Sequence, residues 1–379
     1  MSPILARSVL RLYLGLFLGL LAGVLVVFLV ADFAERLGTY IDRPLSDVAL
    51  LYWNKLLIAV HQLAPAAMLL AGGVTASTLR KRGEWTAMQA LGLSRLVIVL
   101  PVGLVALVAA VALVAYDELV VTQAGPRIDR MLVERFGRWG DYTYFYLPHR
   151  WFRLDHHLVY VRGETREGAL KDVSLYEVDG QFRLVRRFDV EEARHLEADR
   201  WELKAAVERS FPSDETSILV RHERLELRLP GSSPDTFLVA IGRPEFMRTA
   251  ELLSQLAVRA RVGVATGRVR FALHNRFTYP VTGVGGTMLA LALALRRSRK
   301  GHITQALLEG LLVTMTLFGM LLASKALVLG DRVAAGTAAW VPVGVLFALS
   351  GVLLFWAERG GRAFARGRLK AQSDARARR

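Results

Sequence analysis

RKRGEWTAMQALGLSR, residues 80–95, lies between two long apolar runs and carries three consecutive cations, one acid, one tryptophan and small apolar residues at helical spacing. A loop that only returned the chain would not need such a segment. The runs around it set the fold class. A membrane-spanning helix needs about 20 mostly apolar residues, and residues 12–31, 50–79, 96–116, 277–295, 303–328 and 338–357 meet that criterion. The chain has 379 residues, 53% of them hydrophobic, and the apolar ones stand in these blocks instead of being spread at core periodicity. The expectation is a polytopic α-helical membrane protein with six transmembrane helices, three on either side of an inserted domain. The first run lacks a small-residue cleavage site after a short core and continues into Asp32, so it is read as a retained helix.

Cation placement sets the expected orientation. With a cytoplasmic N-terminus, segments 1–11, 80–95, 296–300 and 357–379 hold 18 Lys and Arg against three acids, Glu84, Glu358 and Asp374. That excess equals the net charge of the whole chain, +15. By the positive-inside rule both termini face the cytoplasm and residues 117–272 lie outside. The basic balance therefore reports topology. No motif interleaves these cations with stacking aromatics, so no nucleic-acid partner is expected.

The external part loses the long apolar runs and adopts period two. ERLELRL, residues 223–229, alternates as a half-buried strand does. VSLYEVDGQFRLVRRF, residues 173–188, places Asp179-Gly180 between two strand-like runs, which suits a type I′ hairpin. Residues 117–244 are read as an all-β domain, a jelly roll or sandwich. Residues 245–272 are read as a connecting helix, 1–116 and 273–357 as the two groups of spans, and 358–379 as a basic cytoplasmic tail. The chain has no cysteine, so neither a disulfide nor a zinc thiolate site can form.

Catalytic chemistry is scarcely represented. A Walker A loop needs Gly-Lys before Ser or Thr, and no lysine here follows a glycine. This chain is thus not expected to be an ATPase. No HExxH pair and no G-x-S-x-G elbow occurs. His156-His157 would point to opposite faces of a strand, and no metal site is assigned. His61 and Glu309 lie within spans and should face protein or water; a role in helix packing is the simpler account.

The opening segment now has a physical reading. Arg80, Lys81 and Arg82 stop the second span at the headgroups, and Gly83 breaks it. A helix of about 83–92 follows, with Gly92 ending it and Ser94 available to cap the third span. In projection Glu84, Ala87, Met88 and Leu91 share one side, a narrow apolar strip headed by an acid. An interfacial loop helix on the headgroups is the alternative, opposed by the repulsion between that acid and anionic lipids.

RGEWTAMQALGLS (82–94), HNRFTYP (274–280) and AAWVP (338–342), together with three-plus-three spans around an external β domain, resemble the LptF/LptG permease family. The likeness covers nearly the entire chain. It implies a transmembrane subunit of the ABC exporter that lifts lipopolysaccharide out of the bacterial inner membrane. It further implies a separate LptB-like ATPase dimer that binds ATP and magnesium, so that this chain needs no cofactor. The remaining implied partners are the complementary LptF- or LptG-like chain and LptC-like and LptA-like periplasmic proteins. In that family the segment after span two is the coupling helix. Glu84 matches its acid, with Ala87, Met88 and Leu91 beside it.

Gly15, Gly19 and Gly23 recur at i+4 on span one and form a smooth strip for helix packing, within the chain or at a gate with the partner. Arg36 lies about 36 Å beyond Leu12, and Lys325 about 33 Å beyond Ile303, at 1.5 Å per residue. Both are therefore candidates for contact with lipid phosphates, or else for snorkelling anchors; the family pattern also has a basic residue at Lys325. The loop GDRVAAGTAAW (330–340) departs from the family in being short and without paired prolines. Two other classes stay open: a permease of another lipid or lipoprotein ABC exporter, and a polytopic lipid-modifying enzyme. Four-span permeases carry their external domain after the first span, and no cluster of nucleophile, base and orienter supports the enzyme.

Overall fold

The computed structural model describes residues 3–136, 150–164, 169–197, 199–213, 216–230, 232, 243–262, 265–296 and 303–377. Before the strands come α1 (Pro3–Glu35), α2 (Leu37–Tyr40), α3 (Leu45–Lys81), α4 (Glu84–Ala90) and α5 (Leu96–Tyr116), which passes through one π turn, Asp117–Val121, into α6 (Thr122–Glu134). After them come α7 (Thr249–Val262), α8 (Gly267–Arg296), α9 (Ile303–Leu329) and α10 (Ala335–Ala377). Six of these helical segments, those built on α1, α3, α5, α8, α9 and α10, are long and apolar enough to cross a membrane. The chain divides into a membrane unit, residues 1–136, 244–249 and 267–379, and a second unit, 137–243 and 250–266.

α3 and α8 form the centre of the membrane unit: 67% and 78% of their apolar windows are buried, against 6% for α1. Small residues make this possible. A Cβ at Gly72 would lie 2.9 Å from the Thr287 carbonyl oxygen, and one at Gly283 would lie 3.0 Å from Pro65 Cα, so the two backbones touch where only glycine fits. Thr287 returns its hydroxyl to the Gly283 carbonyl at 2.8 Å and lies 3.3 Å from the Tyr13 hydroxyl, which ties α1 to the pair. Pro65, Pro101, Pro280 and Pro342 all lie inside helices, which membrane helices tolerate when neighbours satisfy the freed backbone groups.

The helices outrun the apolar blocks. Residues 117–134, read from sequence as the start of the β domain, are helical and belong to the membrane unit. Val121, Ala124, Ile128, Met131 and Leu132 recur at helical spacing there, and all are buried. α4 is bracketed by two left-handed glycines, Gly83 (φ 76°) and Gly92 (φ 75°), a conformation that costs glycine little. Gly92 N–H bonds to the Gln89 carbonyl and Leu93 N–H to the Met88 carbonyl, a Schellman end. Ser94 does not cap α5 as read from sequence; Arg95 holds the N-cap position, and its side chain makes no capping hydrogen bond.

In the second unit β1 (Arg150–Leu154), β2 (His157–Glu164), β3 (Leu170–Val178), β4 (Leu184–Glu197), β5 (Arg200–Ser213) and β6 (Thr216–Arg228) form one antiparallel sheet in sequence order. A jelly roll or sandwich needs a strand that crosses to a second sheet, and the described residues hold none; the described sheet is a meander. Leu175, Phe188, Trp201 and Leu203 build its buried face. The Trp201 Nε1–H donates to Ser232 Oγ at 2.8 Å, which satisfies the buried indole. In β6 the alternation read from sequence holds, with Leu225 and Leu227 packed on this core. The Asp179-Gly180 turn differs from the type I′ expectation. It is a five-residue loop whose left-handed residue is Phe182 (φ 62°), and Asp179 Oδ1 accepts the N–H groups of Gln181 and Arg183 at 2.8 Å each. That carboxylate adds to the backbone bonds of the loop, in which the Asp179 N–H donates to the Arg183 carbonyl at 2.9 Å and the Phe182 N–H to the Asp179 carbonyl at 3.0 Å.

Candidate functional site

HNRFTYP sets Arg276 within α8, where its side chain is only 3% exposed. Its Nε donates to Asp117 Oδ2 at 2.7 Å. Its Nη1 donates to Glu118 Oε2 at 2.6 Å and to Thr249 Oγ1 at 2.9 Å, and its Nη2 donates to the Met247 carbonyl. The two acids open the π turn that follows α5, an irregularity that helices often carry at functional positions. Glu118 also accepts the Thr249 N–H, 3.1 Å from each carboxylate oxygen, and so fixes the start of α7. His61 Nε2 stands 3.7 Å from the other Asp117 oxygen. A charge in the bilayer is costly unless paired, and here one guanidinium meets two carboxylates, a hydroxyl and a carbonyl.

A cavity of about 520 Å³ opens beside this network. Phe28, Ile58, Phe271, Phe318 and Leu322 supply apolar wall, and His61, Asn275, Arg276 and Lys325 supply polar groups. A side lobe of about 60 Å³ shares Glu245, Asn275 and Lys325 and adds Arg268. Lys325 Nζ donates to Glu245 Oε1 at 2.7 Å, and Arg268 Nη2 lies 3.7 Å from Glu245 Oε2. Burial alone would raise the Glu245 carboxyl; the Lys325 hydrogen bond and the charges of Lys325 and Arg268 hold it below its ordinary value. The Lys325 and Glu245 side chains are 41% and 37% exposed, so in water this pair contributes only about 0–1 kcal/mol. The lining thus joins hydrocarbon to exchangeable positive charge, which suits an amphiphile with an anionic head.

A family profile described as lipopolysaccharide export system permease LptF/LptG matches residues 7–357. The chain belongs to the LptF/LptG family. It is also 23% identical over 233 residues to the lipopolysaccharide export system permease protein LptG of Haemophilus influenzae, a match covering 61% of this chain and 63% of that protein. The chain therefore spans under two thirds of this curated relative.

Within this member of the LptF/LptG family the residues read from sequence fall in separate places. Lys325 lines the cavity, whereas Arg36 does not. Arg36 pairs with Asp32 at 3.2 Å, in a cluster where Asp32 also accepts the Tyr52 hydroxyl and the Lys55 ammonium. Among the described residues, nothing beyond the local backbone of α1 lies within 4 Å of a Cβ placed at Gly15, Gly19 or Gly23, so the described helices leave that strip of α1 uncovered. On α4, Ala87 and Leu91 are exposed and Glu84 half-buried, but Met88 is not on the open side. Met88 is 4% exposed and packs with Trp85 into the main core, because these two bulky residues form the face of α4 turned toward the helices. Glu309 lies half-buried on α9 near Gly73 and Ala290, in a packing position. His61 has a second connection beyond packing, through Asp117 and the cavity lining. The Asp117–Glu118–Arg276 network escaped the sequence reading. Its signal was available as an arginine just before the apolar part of span four and an acid pair where span three ends.

Proposed function

We propose that this chain is a permease subunit of an ABC exporter that takes lipopolysaccharide from the bacterial inner membrane and passes it to a periplasmic bridge. Family membership supports the transporter class over an enzyme, and the observation that carries the substrate reading is the cavity: apolar walls joined to a lobe with Lys325 and Arg268. Lys325 serves the lipid phosphate in this reading, and Arg36, already paired with Asp32, serves at most a second headgroup contact. A photoreactive residue at Leu322, on the cavity wall, is expected to capture lipopolysaccharide in membranes, and Lys325→Glu to reduce that capture. Crosslinks only to bulk phospholipid, unchanged by Lys325→Glu, would remove the substrate assignment.

The finer assembly follows from the same reading. An LptB-like ATPase dimer binds ATP and magnesium and docks on α4 through Glu84, Ala87 and Leu91. The complementary LptF- or LptG-like chain covers α1 along Gly15, Gly19 and Gly23, and LptC-like and LptA-like proteins receive the lipid. Both termini are cytoplasmic and the sheet periplasmic, as supported by the charge asymmetry. The absence of native cysteine makes single-cysteine labelling direct. In intact spheroplasts an impermeant reagent is expected to label a cysteine at Gly180 and to leave one at Ser373 untouched. The opposite pattern overturns the orientation.

A further inference from the structure

Lys325 faces the cavity with a carboxylate already on it. Glu245 places one oxygen 2.7 Å from the Lys325 ammonium and the other 3.7 Å from the Arg268 guanidinium, so a single acid stands over both cations of the side lobe. The backbone that carries it is pinned independently. A Cβ at Gly125 would fall 2.3 Å from the ring of the next residue, Phe246, so that ring lies flush against α6, and further along Thr249 is bound by Glu118 and Arg276. The Glu245 side chain can therefore leave Lys325 by rotation alone. Arg276 differs in being 3% exposed and already bonded to two carboxylates, a hydroxyl and a carbonyl, so an incoming ligand has little to gain from it.

We propose that Glu245 is a specificity-determining residue, a built-in competitor that occupies Lys325 and Arg268 in the empty cavity and yields only to a lipid bearing a phosphomonoester. The proposal rests on the reading of the cavity as a lipid site and adds the rule by which lipids are sorted. A phosphomonoester brings a charge of about −1.5 to −2 and three acceptor oxygens, more than the carboxylate it replaces, and Lys325, Arg268 and Asn275 line the lobe that would receive it. A zwitterionic phospholipid offers one phosphodiester charge with its own ammonium close by. Exchanging Glu245 for that group gains nothing. The carboxylate thus holds off the abundant bilayer lipid and admits the phosphorylated one.

The test uses the full chain, copurified with its partner subunits and placed in nanodiscs, with the photoreactive residue at Leu322. The probes are lipid A carrying its phosphates, the same lipid A after phosphatase treatment, and phosphatidylethanolamine. Wild-type protein should favour the phosphorylated probe. Glu245→Gln should lower that preference by a factor of up to about five, the most expected when an exposed ion pair stops competing, through increased capture of the two other probes. Glu245→Asp should keep the preference, which separates loss of charge from loss of fold, and thermal unfolding should show both variants intact. An unchanged preference in Glu245→Gln, with capture still lowered by Lys325→Ala, overturns the competitor role and leaves the lipid site standing. If Lys325→Ala also captures every probe as wild type does, the lipid site and the competitor fall together.

Discussion

Arg276→Gln is expected to destabilise the membrane unit by about 3–5 kcal/mol, the usual result of removing one partner from a buried ion pair. Asp117, 7% exposed, would lose the guanidinium and be left with His61 Nε2 at 3.7 Å, and Glu118 would lose the Arg276 donor that it shares with Thr249. Met247 would lose the donor to its carbonyl as well. Thermal unfolding of the purified chain in detergent measures the effect. Asp117→Asn should cost less, because Glu118 still compensates the guanidinium, and the double substitution should cost clearly less than the sum of the singles. Coupled residues in one network commonly show about 0.5–3 kcal/mol of such interaction energy. Additive losses, or a loss under about 1 kcal/mol for Arg276→Gln, would mean that water reaches the network and that the pairs act as exposed ones do.

The same network shows where reading the sequence stops. Apolar runs announce six crossings because a bilayer leaves a helix little alternative to continuous hydrophobicity. They do not mark helix ends, since a helix continues through the headgroups on mixed residues. That is why α5 runs through its π turn into α6 as far as Glu134, where composition alone suggested a change of domain. Strand alternation at residues 223–229 correctly separates the face with Leu225 and Leu227 from its opposite, but strand order depends on pairings distant in sequence. Alternation is silent on those, so a meander and a jelly roll look alike. For the candidate site, helix rise singled out Lys325 by depth alone, as it did Arg36, and did not say which of the two would line the cavity. Glu245 was not visible in the sequence, because nothing local tells a carboxylate 80 positions away that it will meet the Lys325 ammonium. Met88 was misplaced for a related reason: on a two-turn helix, projection groups the residues of one side but does not say which side neighbouring helices will cover.

Glu84→Ala is expected to weaken association with the nucleotide-binding subunit and to lower lipid-stimulated ATP hydrolysis while the membrane unit stays folded. α4 is built as a rigid projection: left-handed glycines limit it at both ends, and Trp85 and Met88, 2% and 4% exposed, seat it on the main core. What it leaves outward is Glu84 at the first turn with Ala87 and Leu91 beyond, small enough at Ala87 for another surface to approach closely. Glu84 has Arg82 at 3.8 Å as an exposed partner, so removing its charge costs the isolated chain little. In the complex proposed above, the same change would leave the group opposite Glu84 without its counter-charge, which costs about 2–5 kcal/mol when that group is buried. Met88→Ala provides the contrast, because it should act by opening a cavity in the core, costing about 2–5 kcal/mol of folding stability, and not by removing a contact with the ATPase. Co-purification, ATP hydrolysis and thermal unfolding of the two variants separate these effects. If the Glu84→Ala complex copurifies and hydrolyses ATP as wild type does, α4 does not join the subunits through this acid.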